Sequence, residues 1–160
     1  MRFKPTDDTE KIRQALKLPD SKIILFTVRN LVARMGLENL IKAVQLVVRN
    51  AADIYLVIGG AGPLRDQLAR MAEQLGVNDC IRFEGFIPEE SLPNYYQMAD
   101  MFILPTKELE GFGLVTLEAM ASGVPVLGTP VGGTKEIISR FDSSFMFNTD
   151  FRTGFNRQFL

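Results

Sequence analysis

Apolar positions along this chain recur in two alternating rhythms. Ile23-Ile24-Leu25-Phe26-Thr27-Val28 is an almost unbroken apolar run with β-branched content, which predicts a strand from Lys22 to Val28 covered on both faces. Leu37, Leu40, Ile41, Val44, Val47 and Val48 then return at helical spacing. Ile54 to Ile58 reads as a second buried strand and runs into Gly59-Gly60-Ala61-Gly62. Pro63 stands where a first helical residue is favoured, and the helix it opens is expected to reach about Leu75 and stop at Gly76. Ile81-Arg82-Phe83 predicts a third strand, entered through Cys80, with a turn at Gly85 and a small helix around 91–98. Met101 to Leu104 predicts a fourth strand, followed by a loop and a helix over about 113–122 closed by Gly123. Pro125-Val126-Leu127 is a fifth strand, and Gly132-Gly133 opens a last helix through Ile138. A charged helix over 7–17, closed by Pro19, precedes this series, and beyond Arg140 the pattern weakens into a polar tail spotted with phenylalanine.

Strands alternating with helices imply an α/β fold, a Rossmann-like, doubly wound parallel sheet with helices on both sides. Repeats and linkers are absent, so residues 1–160 are expected to form one domain: a leading helix in 1–20, the core over 22–138 and an irregular tail over 141–160. Right-handed crossovers place every strand's carboxyl end on one edge, and ligands of such folds bind outside that edge. The loops that matter are therefore 29–36, 59–63, 85–90, 105–113 and 128–134.

Composition narrows the chemistry. The chain has 160 residues, 46% hydrophobic and 23% charged, with 18 basic and 19 acidic groups and a formal net charge of −1. So even a balance offers no electrostatic footprint for nucleic acid. A single cysteine, Cys80, cannot staple the fold internally. With no histidine there is no Ser-His-Asp or Cys-His triad and no imidazole zinc site, so chemistry in this chain rests on carboxylates, Arg and Lys, hydroxyls or backbone dipoles. No apolar run approaches the ~20 residues that span a bilayer. Met1-Arg2-Phe3-Lys4-Pro5 lacks the apolar stretch of a secretion signal, so the chain is expected in the cytoplasm.

The most informative stretch is Glu110-Gly111-Phe112-Gly113-Leu114-Val115-Thr116-Leu117-Glu118. The helix from about Gly113 is apolar nearly all round, as a buried helix is, and a carboxylate within it is costly unless something polar meets it. Thr116 and Glu118 point to nearly opposite sides, so together they make no solvent face. Glu110 precedes the helix across glycines that let a ligand approach the backbone, and the amides at 112–114 form an anion site by geometry and dipole. Two acceptors flanking an anion site suit a ligand with hydroxyls on either side of a phosphate group. On the residues alone, a solvated Glu110 and a Glu118 paired with a buried arginine fit about as well.

Glu110 and Glu118, with seven residues between them inside E-G-F-G-L-V-x-L-E-A-M-A-x-G-x-P-V, resemble the E-x7-E signature of retaining GT-B glycosyltransferases, and in particular the group 1, or family 4, enzymes. Gly59-Gly60-Ala61-Gly62-Pro63-Leu64 resembles the same family's G-x-G-P-L loop, and Phe83-Glu84-Gly85-Phe86-Ile87 its F-x-G-x-(V/I) turn. Gly132-Gly133-Thr134-Lys135-Glu136 resembles its G-G-x-x-E. The resemblance implies half of a GT-B fold that binds a nucleotide-sugar donor. Glu118 would accept from the ribose hydroxyls, and Glu110 would contact the donor sugar. Phe112, Gly113 and Leu114 would hold sugar and diphosphate through backbone amides, with Gly60 in the neighbouring loop. Main-chain groups near Phe86 and Ile87 would read the base edge. The implied reaction moves the sugar to an acceptor hydroxyl with retention, without a metal ion or other cofactor.

One motif departs from the family pattern. Where the family reads G-R-L-x-x-x-K-G, this chain reads Val28-Arg29-Asn30-Leu31-Val32-Ala33-Arg34-Met35-Gly36, so Asn30 and Met35 stand in the usual Arg and Lys positions. Arg34 is expected to supply leaving-group charge in place of the lysine, with Arg29 as a second donor-site cation; the alternative makes both surface arginines. Glu136 and Lys107 are weaker candidates, and Arg65, Tyr95 and Tyr96 read as surface charge and packing. The acceptor-binding domain of a GT-B enzyme, with whatever membrane association it confers, has no counterpart here. The chain is thus expected to bind donor nucleotide without transferring sugar, as an excised part of a larger enzyme. Two other readings are a degenerate nucleotide-binding or protein-interaction module and a dinucleotide-dependent oxidoreductase. The last requires G-x-G-x-x-G straight after the first strand, where Arg29-Asn30-Leu31 stands instead.

Overall fold

In the computed structural model the described residues are 2–50, 53–108, 111 and 113–147. Five strands, β1 (Ile23–Val28), β2 (Ile54–Gly59), β3 (Ile81–Gly85), β4 (Met101–Leu104) and β5 (Val126–Gly128), form one sheet in the order β3-β2-β1-β4-β5. Every pairing is parallel, with Phe26 beside Val57 on one side and Phe102 on the other. Six helices connect and flank them: α1 (Thr9–Ala15), α2 (Leu37–Arg49), α3 (Arg65–Gln74), α4 (Leu92–Gln97), α5 (Leu114–Ala121) and α6 (Gly132–Phe141).

The period of two along each strand sorts the core into layers. Leu25, Leu56, Ile58 and Ile103 face the layer built by Leu40, Ile41, Val44 and Val47 of α2 and Leu68 and Ala72 of α3. Ile24, Phe26, Val57, Phe102 and Leu104 face the opposite layer, with Tyr95 and Tyr96 of α4, Ala119 of α5 and Ile138 of α6. Both faces of the sheet are covered, which is why its strands read as continuous apolar runs rather than alternating ones.

Several local expectations need correction. Pro63 does not open α3, which starts at Arg65; Pro63 and Leu64 form a turn tied back by Leu64 N–H to the Leu31 carbonyl at 3.1 Å. Cys80 does not enter a buried strand but closes a 3₁₀ turn, Asn78–Cys80, and is half-buried. The helix α5 is not buried all round: Thr116 and Ala119 face the core, while Leu114 is 63% exposed and Leu117 is exposed too. Its uniformly apolar composition hides which side meets the sheet. The α6 helix runs three residues beyond Ile138, to Phe141. After it, Phe147 is buried and donates its N–H to the Gly128 carbonyl at 2.8 Å, so the start of the supposed irregular tail continues the sheet's hydrogen bonding beside β5. Residues 148–160 lie outside the described residues.

The strand ladder does not stop at the strand ends. Arg29 N–H donates to Gly59 O at 3.0 Å and Leu31 N–H to Ala61 O at 2.9 Å, while Gly60 N–H reaches Gly85 O at 2.6 Å. Three loops are thereby laced into one rigid rim. Gly60 sits at φ +112°, where L side chains are strained, and a Cβ there would lie 1.9 Å from the Arg29 carbonyl oxygen. Gly60→Ala is therefore expected to cost more than about 1–2 kcal/mol, the cost of the backbone conformation alone. At about 2–4 °C per kcal/mol for a chain of this size, thermal unfolding should show Tm lowered by at least about 3 °C; an unchanged Tm contradicts this account of the rim.

Candidate functional site

The strand order reverses at β1, since β2 and β3 lie on one side of it and β4 and β5 on the other. The connections leaving β1 and β4 run to opposite faces of the sheet and leave a crevice between them, the switch point at which ligands of doubly wound sheets bind. A cleft of about 660 Å³ opens there. Arg29, Asn30, Arg34 and Met35 line it from the loop after β1, Gly60 and Ala61 from that after β2, and Phe86 and Ile87 from that after β3. Leu92 of α4, Gly111 and Val115 of α5 complete the wall.

Arg29 lies at the cleft with only 8% of its surface exposed. Its Nη2 donates to Thr106 Oγ1 at 2.9 Å and approaches Met35 Sδ at 3.1 Å. The side chain thus spans from the end of β1 to the segment after β4, and it is not a surface arginine. Thr106 is in turn held by Thr129, whose Oγ1 donates to the Thr106 carbonyl at 2.6 Å. Met35, in the position where the family pattern has lysine, is 7% exposed and packs its sulfur against Arg29. Arg34 lies on the 3₁₀ turn Ala33–Met35 and is exposed. Its backbone is fixed, because its carbonyl accepts from Lys107 N–H at 2.8 Å. One cationic side chain at the cleft is therefore buried and fixed, and the other is exposed on an anchored backbone.

Glu118 is half-buried on α5, one turn beyond Val115 of the cleft wall. Its Oε2 accepts from the Tyr96 hydroxyl at 2.8 Å, so a phenol meets this carboxylate rather than the buried arginine of the alternative reading. Burial raises the Tyr96 pKa well above the ordinary phenol value; the Glu118 hydrogen bond and charge add to the rise and the Arg29 charge opposes it. The phenol therefore stays a neutral donor. Gly113, at φ +75°, precedes α5, and the first helical hydrogen bond runs from Thr116 N–H to Gly113 O at 2.9 Å. The amides of Gly113 and Leu114 thus stand ahead of the helical ladder at the positive end of the helix dipole. Glu110 and Phe112 lie outside the described residues.

The structure brings Arg29, Arg34, Gly60, Phe86 and Ile87 to one cleft and leaves the weaker candidates elsewhere. Lys107 pairs with Glu38 at 3.1 Å, and Arg65 pairs with Asp66 at 3.2 Å while lying over the Phe83 ring. Glu136 is exposed on α6, but α6 starts at Gly132, so it lies past the first turn and does not cap the helix. Two participants escaped the sequence reading. Thr106 receives the Arg29 guanidinium, and nothing local to Pro105-Thr106 announces it. Tyr96 packs in the core as its sequence context suggests, yet a tyrosine in a wholly buried position carries a hydroxyl that needs a partner. The ring of Phe86, 78% exposed at the cleft mouth, is a third feature, a side chain where the sequence pointed only to main-chain groups.

The sequence profile described as "Glycosyl transferases group 1" matches residues 8–152. The chain belongs to this family. It is 38% identical over 144 residues to the GDP-mannose-dependent alpha-(1-6)-phosphatidylinositol monomannoside mannosyltransferase of Mycolicibacterium smegmatis, covering 86% of this chain and 37% of that relative. The chain thus spans little more than a third of the length of that curated relative. HepE of Anabaena, solved in complex with UDP, superposes with a TM-score of 0.85 at 21% identity, over 99% of this chain and 43% of that one. The C-terminal domain of a group 1 glycosyl transferase from Francisella tularensis matches with a TM-score of 0.69 at 22% identity, over 98% of this chain and 91% of that domain. The chain therefore has the fold of one Rossmann-like half of a GT-B glycosyltransferase, the C-terminal one. Among the described residues no helix is long and apolar enough to cross a membrane, and no three His, Cys, Asp or Glu side chains are grouped to hold a metal ion.

The Arg29–Thr106 contact can be weighed directly. Thr106→Val keeps the side-chain shape and removes the hydroxyl acceptor from a buried guanidinium, with an expected loss of about 1–3 kcal/mol. Chemical denaturation should report it as a lower midpoint with unchanged slope; a shift of less than about 0.5 kcal/mol, the usual range of neutral surface changes, removes the contact from this account.

Proposed function

We propose that this chain is the donor-binding half of a retaining glycosyltransferase that takes a nucleotide-sugar and delivers the sugar to an acceptor hydroxyl. The carrying observation is the pair of arginines at the switch-point cleft, Arg29 fixed by Thr106 and Arg34 exposed on an anchored turn, beside the amino end of α5. That combination suits a diphosphate. Two cationic side chains and the aligned amides of Gly113 and Leu114 meet its charge, and a protein site of fixed dipoles and cations stabilises a leaving anion better than water that must reorganise.

The remaining assignments follow the direction of a bound nucleotide along the cleft. Glu118 accepts from the ribose hydroxyls, and the loop at Phe86 and Ile87 takes the base, its backbone facing the base edge and the Phe86 ring available to the base's face. Gly60 borders the donor as part of the cleft wall, its own N–H being taken by the Gly85 carbonyl, while Phe112 would offer a backbone amide and Glu110 would contact the donor sugar. In the transfer step the bond from the anomeric carbon to the diphosphate oxygen breaks, the bond to the acceptor oxygen forms on the same face of the sugar, and the acceptor's hydroxyl proton passes to the departing diphosphate oxygen. The reading assigns no metal ion to this step, because side-chain cations and helix dipole carry the charge. Acceptor recognition belongs to the other half of the enzyme, so this chain binds donor without transferring sugar.

A degenerate, non-catalytic module is the competing reading, and it rests on Met35, whose buried thioether replaces the family's lysine at the cleft. Calorimetric titration with UDP, GDP and ADP separates the two. At least one is expected to bind with a Kd below a millimolar, and Arg34→Ala to weaken it by about tenfold or more, equivalent to about 1.4 kcal/mol. Absence of binding by all three at millimolar concentration supports the degenerate module, and equal binding by Arg34→Ala removes Arg34 from its role.

A further inference from the structure

We propose that Tyr96 is the positioning residue for Glu118, and that preference for ribose over deoxyribose nucleotides at this site passes through the Tyr96 hydroxyl. The inference rests on the donor-binding reading and adds a residue to it. Tyr96 is wholly buried, and its ring is gripped on several sides. Phe26 meets it edge-on at 5.5 Å between centroids, Phe3 at 5.7 Å, and Phe102 lies at 5.2 Å. Such a ring has no freedom to move, so its hydroxyl is a fixed point delivered from α4 to α5.

That fixed donor takes one oxygen of Glu118, Oε2, at 2.8 Å. A carboxylate has two oxygens and about four lone-pair sites, so Oε1 retains its capacity for a ligand's hydroxyls. A half-buried glutamate otherwise has three rotatable side-chain bonds and competing rotamers, and ordering it on binding costs affinity. The phenol settles that ordering before the ligand arrives. Replacing the hydroxyl with hydrogen leaves the ring packing intact and releases the carboxylate. The affected energy belongs to the ligand's sugar alcohols and not to its phosphates or base.

The test compares wild-type chain and Tyr96→Phe by calorimetry with UDP, GDP and ADP, each beside its 2′,3′-dideoxy counterpart, the deoxy form that lacks both sugar alcohols. Wild type is expected to prefer the ribose form of whichever nucleotide binds by at least tenfold, and Tyr96→Phe to reduce that preference to within about threefold while the deoxy form binds about equally to both proteins. A purely structural tyrosine would lower Tm and weaken both nucleotides alike, so a preserved ribose preference in Tyr96→Phe overturns the proposal. A second readout needs no variant: the Tyr96 13Cζ resonance of the wild-type chain should move on addition of the ribose nucleotide and stay in place with the deoxy form. Equal movement with both also overturns it. Failure of every nucleotide to bind wild type is a different failure, that of the donor-binding reading, and takes this proposal with it.

Discussion

Because β2 and β3 are laid down on one side of β1 and β4 and β5 on the other, the chain leaves the carboxyl ends of β1 and β4 toward opposite faces of the sheet. Among the described residues the cleft opens beside those two exits, and the rest of the site is arranged around it. The α2 helix, following β1, packs with α3 against one face, while α5, following β4, packs against the other with α4 and α6. The amino end of α5 and the turn that carries Arg34 therefore border the same crevice from different layers. A parallel sheet buried on both faces makes the gap durable, since its walls are continuous with a packed core.

A gap between diverging loops would collapse or gape without ties across it, and polar contacts supply them. Arg29 reaches from the end of β1 to Thr106 beyond β4, and the Arg34 carbonyl accepts from Lys107 N–H. On the other side, the ladder continuing through Gly59, Ala61 and Gly85 binds the β1, β2 and β3 exits together. The same arginine thus secures the cleft and gives it positive charge. Met35 against its guanidinium shows how the departure from the family pattern is accommodated: the residue in the lysine position has become part of the packing around the arginine that stands just before the usual arginine position.

The strand–helix order, the parallel sheet and the family were all legible in the chain, because fully covered strands and glycine-rich exits leave strong local signals at Ile23–Val28, Ile54–Gly59 and Gly111–Gly113. What was illegible has a common cause. Which side of α5 faces the sheet depends on neighbours distant in sequence, so a helix apolar on every side looks buried throughout although Leu114 and Leu117 are exposed. Likewise the direction of Arg29 hinges on register at a strand end, where one residue reverses a side chain. Its partner, Thr106, is 77 positions away. Tyr96 is the instructive case between these extremes: the sequence implies its burial, and the hydroxyl that burial obliges to find a partner is the clue to Glu118.

The claim that the switch-point crevice is a nucleotide site is tested most directly by amide-resolved NMR titration of the chain with UDP, GDP and ADP. The account predicts that shifts concentrate at Arg29–Arg34, Gly60–Ala61, Phe86–Ile87 and Gly113–Leu114, with α1 and the outer face of α3 silent. Shifts confined to another surface, such as the apolar groove between Val126 and Phe141 beside β5, would contradict it.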